Sequence, residues 1–172
     1  PAVQLEVHFV DSEQAHKAVL DGDLSLAFLT LPPVYDKRLN YHMLWSDPLH
    51  FVTGILSPLA HKMNVTLEQL ANYPAILPAA NTFTSQITLA EFAKYNLKPY
   101  ATMSTNPLES IRMLVSVGLG WSVLPQTLVN QDLQPINMDT PVELQRYLGL
   151  VTNPNITVSA SMAALLDMLG LE

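Results

Sequence analysis

Residues 3–10 (VQLEVHFV) alternate: Val3, Leu5, Val7 and Phe9 fall on one side, Gln4, Glu6 and His8 on the other. That period of two predicts a half-buried strand. Asp11 and Ser12 are N-cap types, Glu13 falls in a first helical turn, and Ala15, Ala18, Val19 and Leu20 carry a helix to Gly22. Residues 24–31 are an apolar run stopped by Pro32 and Pro33, read as a strand buried on both faces. Strand, helix and strand with short links predict a βαβ unit, parallel and right-handed.

The middle of the chain continues the alternation of strands and helices. Residues 41–45 are predicted extended, Ser46, Asp47 and Pro48 mark a break, and residues 49–55 form another strand. Residues 57–64 are a loop. Thr66 and Gln69 make a capping box for a short helix over 67–71. Residues 75–77 are a strand. The loop that follows offers several caps, and Phe83, Ile87, Leu89, Ala90, Phe92 and Ala93 predict a broad apolar helix face, with Asn96 a left-handed residue at its end. Residues 100–104 are a strand.

The stretch at 106–125 (NPLESIRMLVSVGLGWSVLP) organises the rest. Asn106 is the expected N-cap and Pro107 the first helical residue, with Glu109 near the free N–H groups of the first turn. Ile111, Leu114 and Val115 share a face, Gly118 ends the helix, Gly120 adds a second permissive turn residue, and residues 121–124 read as a buried strand closed by Pro125. Residues 127–131 are a helical turn, 133–138 extended and 146–151 the last strand. Ser159 caps a final helix with Met162, Leu165, Leu166 and Leu169 inward and Gly170 at its end.

Composition narrows the class. Of 172 residues 49% are apolar and 13% charged, which supplies a real core. The net charge of −7 gives this chain no electrostatic grip on nucleic acid or an anionic membrane. With no cysteine, disulfides and thiolate sites are excluded. His8, His16, His42, His50 and His61 lack ligand spacing, so no metal is expected. No nucleophile elbow, phosphate-cradling loop or dinucleotide fingerprint is present, so neither catalytic residues nor a cofactor is expected. No apolar run reaches the length of a membrane span. Pro1 stands first, and the chain is read as part of something longer without a secretory signal.

Three stretches in order, SEQAHKAVLDGDLSLAFLTLPP, DPLHFVTGILSPLAHK and SIRMLVSVGLGWSVLP, resemble the effector-binding domain of LysR-type bacterial transcriptional regulators. The likeness covers essentially the whole chain. It implies an α/β fold similar to type 2 periplasmic binding proteins: two Rossmann-like lobes joined by two crossover segments. Lobe I would be 1–46 with 143–172, and lobe II 47–142. Residues 24–29 and 146–151 would lie in one sheet, 49–52 and 121–124 in another. The chain enters at the family's second strand, so lobe I would lack its first strand and helix unless an upstream segment or another chain supplied them.

The same likeness implies a sensor, not an enzyme, with a small-molecule effector in the inter-lobe cleft. A carboxylate or other anion would suit it. DNA would be contacted only through a helix-turn-helix domain outside this chain, in a cytoplasmic protein that is a homo-oligomer at full length, with no membrane partner. The rival reading is the solute-binding protein of a transporter, which shares the fold. The resemblance assigns effector contacts to Ser12, to Asn81, Thr82, Phe83 and Thr84, and to Ser104, Thr105 and Asn106, and Thr30 and Leu31 join them because they end a strand at the carboxyl edge where open α/β sheets bind ligands. Plainer roles stand beside these: a cap for Ser12, core packing for Phe83, and for Trp121 packing between sheet and helix.

Overall fold

The computed structural model describes residues 6–171. In chain order its elements are α1 (Ser12–Asp21), β1 (Leu26–Thr30), β2 (Asn40–Gly54), α2 (Leu67–Ala71), β3 (Ala75–Leu77), α3 (Phe83–Ala93), β4 (Ala101–Ser104), α4 (Leu108–Ser116), β5 (Trp121–Pro125), β6 (Leu133–Pro135), β7 (Leu144–Thr152) and α5 (Ala160–Met168). Short 3₁₀ turns occupy Pro58–His61 and Gln126–Leu128. The chain forms two compact units, one of Pro1–Trp45 with Tyr147–Glu172 and the other of Ser46–Arg146.

In the first unit, β1 pairs antiparallel with β7 from Leu26↔Thr152 to Thr30↔Leu148. Helix α1 buries Ala15 and Val19 and ends where Gly22 turns left-handed (φ 87°), its N–H bonded back to the helix. Asn153 also donates to the Val19 and Leu20 carbonyls. Three expectations need correction. Residues 1–5 of the expected first strand lie outside the described residues, and residues 6–10 carry no strand and are exposed. Alternation suits a strand, but the ladder also needs a partner for its N–H and C=O groups, and the described residues provide none. The parallel βαβ pairing is therefore not seen among them. Nor is β1 buried on both faces: Phe28 is 49% exposed while Ala27 and Leu29 are buried.

The second unit is wound on both faces of its strands. β3 runs parallel to β4 and β5, while β2 pairs antiparallel with β5 and β6. Successive strand residues point to opposite faces. Leu49, Phe51, Leu77, Trp121 and Val123 accordingly build one core with Leu70 and Phe92 from the helices. Val52, Ile76 and Leu124 build the other with Ile111 and Val115 of α4. Phe51 meets both Phe92 and Trp121 edge-on, at 5.9 and 5.7 Å between centroids, and Phe92 stacks on Trp121 at 5.7 Å. The Trp121 indole N–H donates to the Tyr73 carbonyl (3.0 Å), so burial leaves no donor unsatisfied on that ring.

Several local signals act as read and others are overridden. The Thr66–Gln69 capping box forms in both directions. The break at Ser46–Asp47–Pro48 does not occur, because β2 runs through it. Gln145 bonds to Ser46, and the Arg146 guanidinium grips the Asp47 carboxylate at 2.7 Å with both side chains nearly buried. Tertiary pairing outweighs the turn signal there. Helix α3 buries Thr84, Ser85 and Thr88 with Phe92, and exposes Ala90 and Ala93. Gly118 is left-handed as expected (φ 84°), but Gly120 serves close approach instead of a turn. A Cβ there would stand 2.6 Å from the Pro74 carbonyl oxygen. Finally, both expected strand pairs form but not in separate sheets. The hydrogen-bonded order is β1-β7-β2-β5-β3-β4, since β2 and β7 each carry residues of both units.

Candidate functional site

The seven residues expected on the middle of the chain meet at one edge of the second unit, where β3 and β4 end and α3 and α4 begin. Thr82 caps α3: its hydroxyl accepts the Ser85 N–H (3.2 Å) and donates to the Ala79 carbonyl (2.8 Å). Ser85 donates to the Pro78 carbonyl at 2.6 Å. The exposed Asn81 offers its carbonyl to the Gln86 amide (3.0 Å). Ser104 ends β4 opposite Leu77, and the Thr105 N–H donates to the Leu77 carbonyl (3.3 Å). Open α/β sheets bind ligands at this carboxyl edge.

Three of the seven are buried: Thr82, Phe83 and Thr84. Asn106 has a different task from the expected one. Pro107 takes the N-cap position of α4, and the Asn106 side-chain oxygen accepts the Ala79 N–H (3.0 Å). It ties the loop before α3 to the loop before α4. An asparagine at a helix start is read as a cap by its type; which N–H it reaches depends on a loop far away in sequence.

In the first unit, Ser12 opens α1 and its hydroxyl accepts the Thr30 N–H at 3.1 Å, fastening the helix to the carboxyl end of β1. Its hydroxyl hydrogen is not used by that bond. A pocket of about 310 Å³ lies beside the pair, lined by Ser12, Phe28, Leu29, Thr30, Trp45, Leu148 and Gly149. Leu31 is buried, not in the lining, with its N–H given to the Tyr147 carbonyl (2.8 Å). Phe28 and Trp45 escape sequence reasoning because nothing in an apolar run marks which ring stays exposed. Gly149 could have been suspected, since a glycine inside a strand marks close backbone approach. A Cβ there would strike the His42 carbonyl and, at 3.0 Å, the Leu31 side chain.

Nearby, the Tyr41 hydroxyl accepts the Asp36 N–H (3.0 Å), meets His16 Nε2 at 2.7 Å and carries the Tyr35 ring stacked at 4.2 Å. Burial lowers the His16 pKa below its usual value, opposed by the charges of Asp36 and Glu13. Burial raises that of Tyr41. Arg38 binds Asp36 through side chain and backbone and holds the carboxyl down at about 2. Among the described residues no group of three His, Cys, Asp or Glu side chains could hold a metal ion.

In the second unit, helices on both faces of a mixed parallel and antiparallel strand set, with hydroxyl-rich loops at the strand ends, suit a small-molecule-binding α/β domain. Over residues 1–171 the chain matches the LysR substrate binding domain, and it belongs to that family. It is 29% identical over 133 residues to the Hca operon transcriptional activator HcaR of Escherichia coli (strain K12), covering 76% of this chain and 44% of that protein. It is 24% identical over 165 residues to a probable RuBisCO transcriptional regulator of Trieres chinensis, covering 90% and 53%. The chain thus spans about half the length of the curated relatives it matches.

Solved structures share the fold. The CcmR regulatory domain of Synechocystis PCC6803, in complex with 2-PG, superposes with a TM-score of 0.77 at 23% identity, covering 92% of this chain and 78% of that one. The effector-binding domain of QuiR, in complex with shikimate, gives 0.79 at 20% identity, covering 93% and 77%. The fold is therefore that of LysR effector-binding domains, similar to type 2 periplasmic binding proteins, and the family is regulatory, not catalytic. Relatives that are transcriptional regulators do not favour the transporter reading.

Proposed function

We propose that this chain senses a small-molecule effector for a LysR-type transcriptional regulator and passes the signal to a helix-turn-helix DNA-binding domain outside it. The full-length protein would be a cytoplasmic homo-oligomer. The observation that carries the reading is the collection of Thr82, Ser104, Thr105 and Asn106 at the carboxyl ends of β3 and β4, matched by Ser12 and Thr30 at the carboxyl end of β1. A relative that is a transcriptional activator and similar regulatory domains solved with small molecules bound agree with it.

The charged part of the effector is a carboxylate or other small anion. A helix N-terminus favours such a group by roughly 0.3–1 kcal/mol, screened by salt. Of the three helices that start at these edges, α1 and α4 already hold Glu13 and Glu109 in their first turns, whereas α3 holds no acid there. The start of α3 is thus the best placed for an anion. Signalling requires only that the effector bind two arrangements of the domain with different affinity.

The test is a thermal-shift screen of small carboxylates, sulfate and phosphate. An effector at about a hundred times its dissociation constant adds about 2.7 kcal/mol, a rise of roughly 5–10 °C for a domain of this size. Ser12→Ala, Thr82→Ala and Asn106→Ala should each diminish the rise. A ligand that all three variants bind as well as wild type would contradict the site.

A further inference from the structure

We propose that the Asp47–Arg146 pair is a hinge clamp: it holds the register of β2 against β7 where both strands pass out of the second unit. This role goes beyond effector sensing and holds whichever effector is bound.

The chain crosses between the two compact units twice, at Trp45–Ser46 on β2 and at Arg146–Tyr147 on β7. The last residues of the second unit on the two strands are tied to one another. The Gln145 amide donates to the Ser46 hydroxyl, and Arg146 Nε and Nη2 both reach Asp47 Oδ2 at 2.7 Å. Any signal passed along the chain between the units runs through these crossings, so the clamp sets how readily it passes.

Backbone support thins at the same point. β2 pairs with β5 only from Leu49 onward, and β7 pairs with β1 only from Leu148 onward. Between those ladders the two strands have each other as neighbours in the sheet. Pro48 has no N–H to give there, and Ser46–Asp47–Pro48 is a sequence that turns where nothing holds it extended. β2 nevertheless runs straight through it. Side-chain bonds take over where ladder bonds are few.

The pair differs in kind from the surface ion pairs. Lys17–Asp21, Lys94–Glu91 and Arg112–Glu109 each join neighbours on one helix or at its end, with at least one partner well exposed. Asp47 and Arg146 are 99 residues apart and only 13% and 11% exposed. A buried ion pair loses much of its attraction to lost hydration, and an apolar pair of similar volume is often as stable. What the apolar pair lacks is a demand for one geometry. A guanidinium that must meet one carboxylate penalises any slip or parting of the strands, because either leaves a charge buried alone.

The experiment is native-state hydrogen exchange, followed by NMR, on wild type, on Asp47→Leu/Arg146→Met and on the charge-swapped Asp47→Arg/Arg146→Asp. Melting temperatures are measured alongside. The apolar double variant should melt near or above wild type. Its amides at Ser46, Asp47, Gln145 and Arg146 should still exchange about tenfold faster or more, while those of Phe51, Val52, Val123 and Leu124 keep wild-type protection. The charge-swapped variant should return the first group towards wild type.

Unchanged exchange at the crossing amides in a stable apolar variant would overturn the clamp, since side chains of that volume would then serve equally well. Faster exchange at the Phe51, Val52, Val123 and Leu124 amides too would overturn it, because the pair would then support the whole unit and not the crossing. A charge-swapped variant as open as the apolar one would also count against it. If neither double variant folds, Asp47→Asn decides: it keeps the shape and removes the charge, and should speed exchange at the crossing amides alone. No change there would overturn the proposal.

Discussion

The two units treat their phenylalanines and tryptophans in opposite ways. In Ser46–Arg146, Phe51, Phe92 and Trp121 lock together, and the indole N–H is satisfied. In the other unit Phe9 is 95% exposed, and Phe28 and Trp45 are about half exposed. The second unit closes two cores around strands that are all paired within it. The first presents its strand β1 with a single partner, β7, among the described residues. The difference in burial follows from where the strands find partners among the described residues.

The largest effect should come from breaking the aromatic core of the second unit. Trp121→Ala removes the ring shared by Phe51 and Phe92 and should cost about 3–5 kcal/mol, read by denaturant unfolding. Trp45→Ala in the other unit should change stability by less than about 0.5 kcal/mol. Equal costs would erase the contrast between the units.

The next effect concerns β2 where it passes Asp47. Arg146→Ala leaves the nearly buried Asp47 carboxylate without its guanidinium and should cost about 1.5–3 kcal/mol. Adding Asp47→Ala to make the double variant should recover part of that loss. A double variant as unstable as the sum of the two singles would show that the pair is not coupled.

These strands also show what could be read from the chain and what could not. The capping box, the 75–77 strand, and Gly22, Asn96 and Gly118 as left-handed residues follow from local chemistry and stand where expected. The expected break at Ser46–Pro48 fails because the staple that overrides it, Arg146, is 99 residues away. The Asn106 cap fails because its acceptor is taken by Ala79, 27 residues earlier. The candidate residues were legible as hydroxyls and amides at strand ends, and Ser12, Thr30, Ser104 and Thr105 do stand at such ends. The pocket lined by Phe28 and Trp45 was not, because pairing and exposure on β1 and β2 are decided by tertiary contacts, not by periodicity.

A smaller effect tests the face of β2 that carries Phe51 from inside. The Thr53 hydroxyl is fully buried in β2 with no hydrogen-bond partner among the described residues. Thr53→Val keeps the shape and removes the unsatisfied group, so it should be neutral or stabilising by up to about 1 kcal/mol. A loss of more than about 1 kcal/mol would mean that the hydroxyl has a partner in solution.

The smallest effect is in pH. The His16 pKa is lowered by burial, so the folded protein binds this proton less readily than the unfolded chain. Stability from this group is full above the unfolded value near ~6.5 and falls as pH drops towards and through the lowered folded value. His16→Gln should flatten that part of the stability profile. Proton NMR should place the His16 titration below the ordinary histidine range.

The most direct measurement uses the two tryptophans as reporters of the two units. Trp45 is 57% exposed on the pocket and Trp121 is fully buried in the core of the second unit. Iodide quenching of wild type, with Trp45→Phe assigning the signal, should show Trp45 quenched without effector and shielded when a compound that raises the melting temperature is bound. Ser12→Ala should weaken that compound's binding and the shielding together. A compound that stabilises the domain, leaves Trp45 fully open to iodide and binds Ser12→Ala as well as wild type would contradict a binding edge on the first unit.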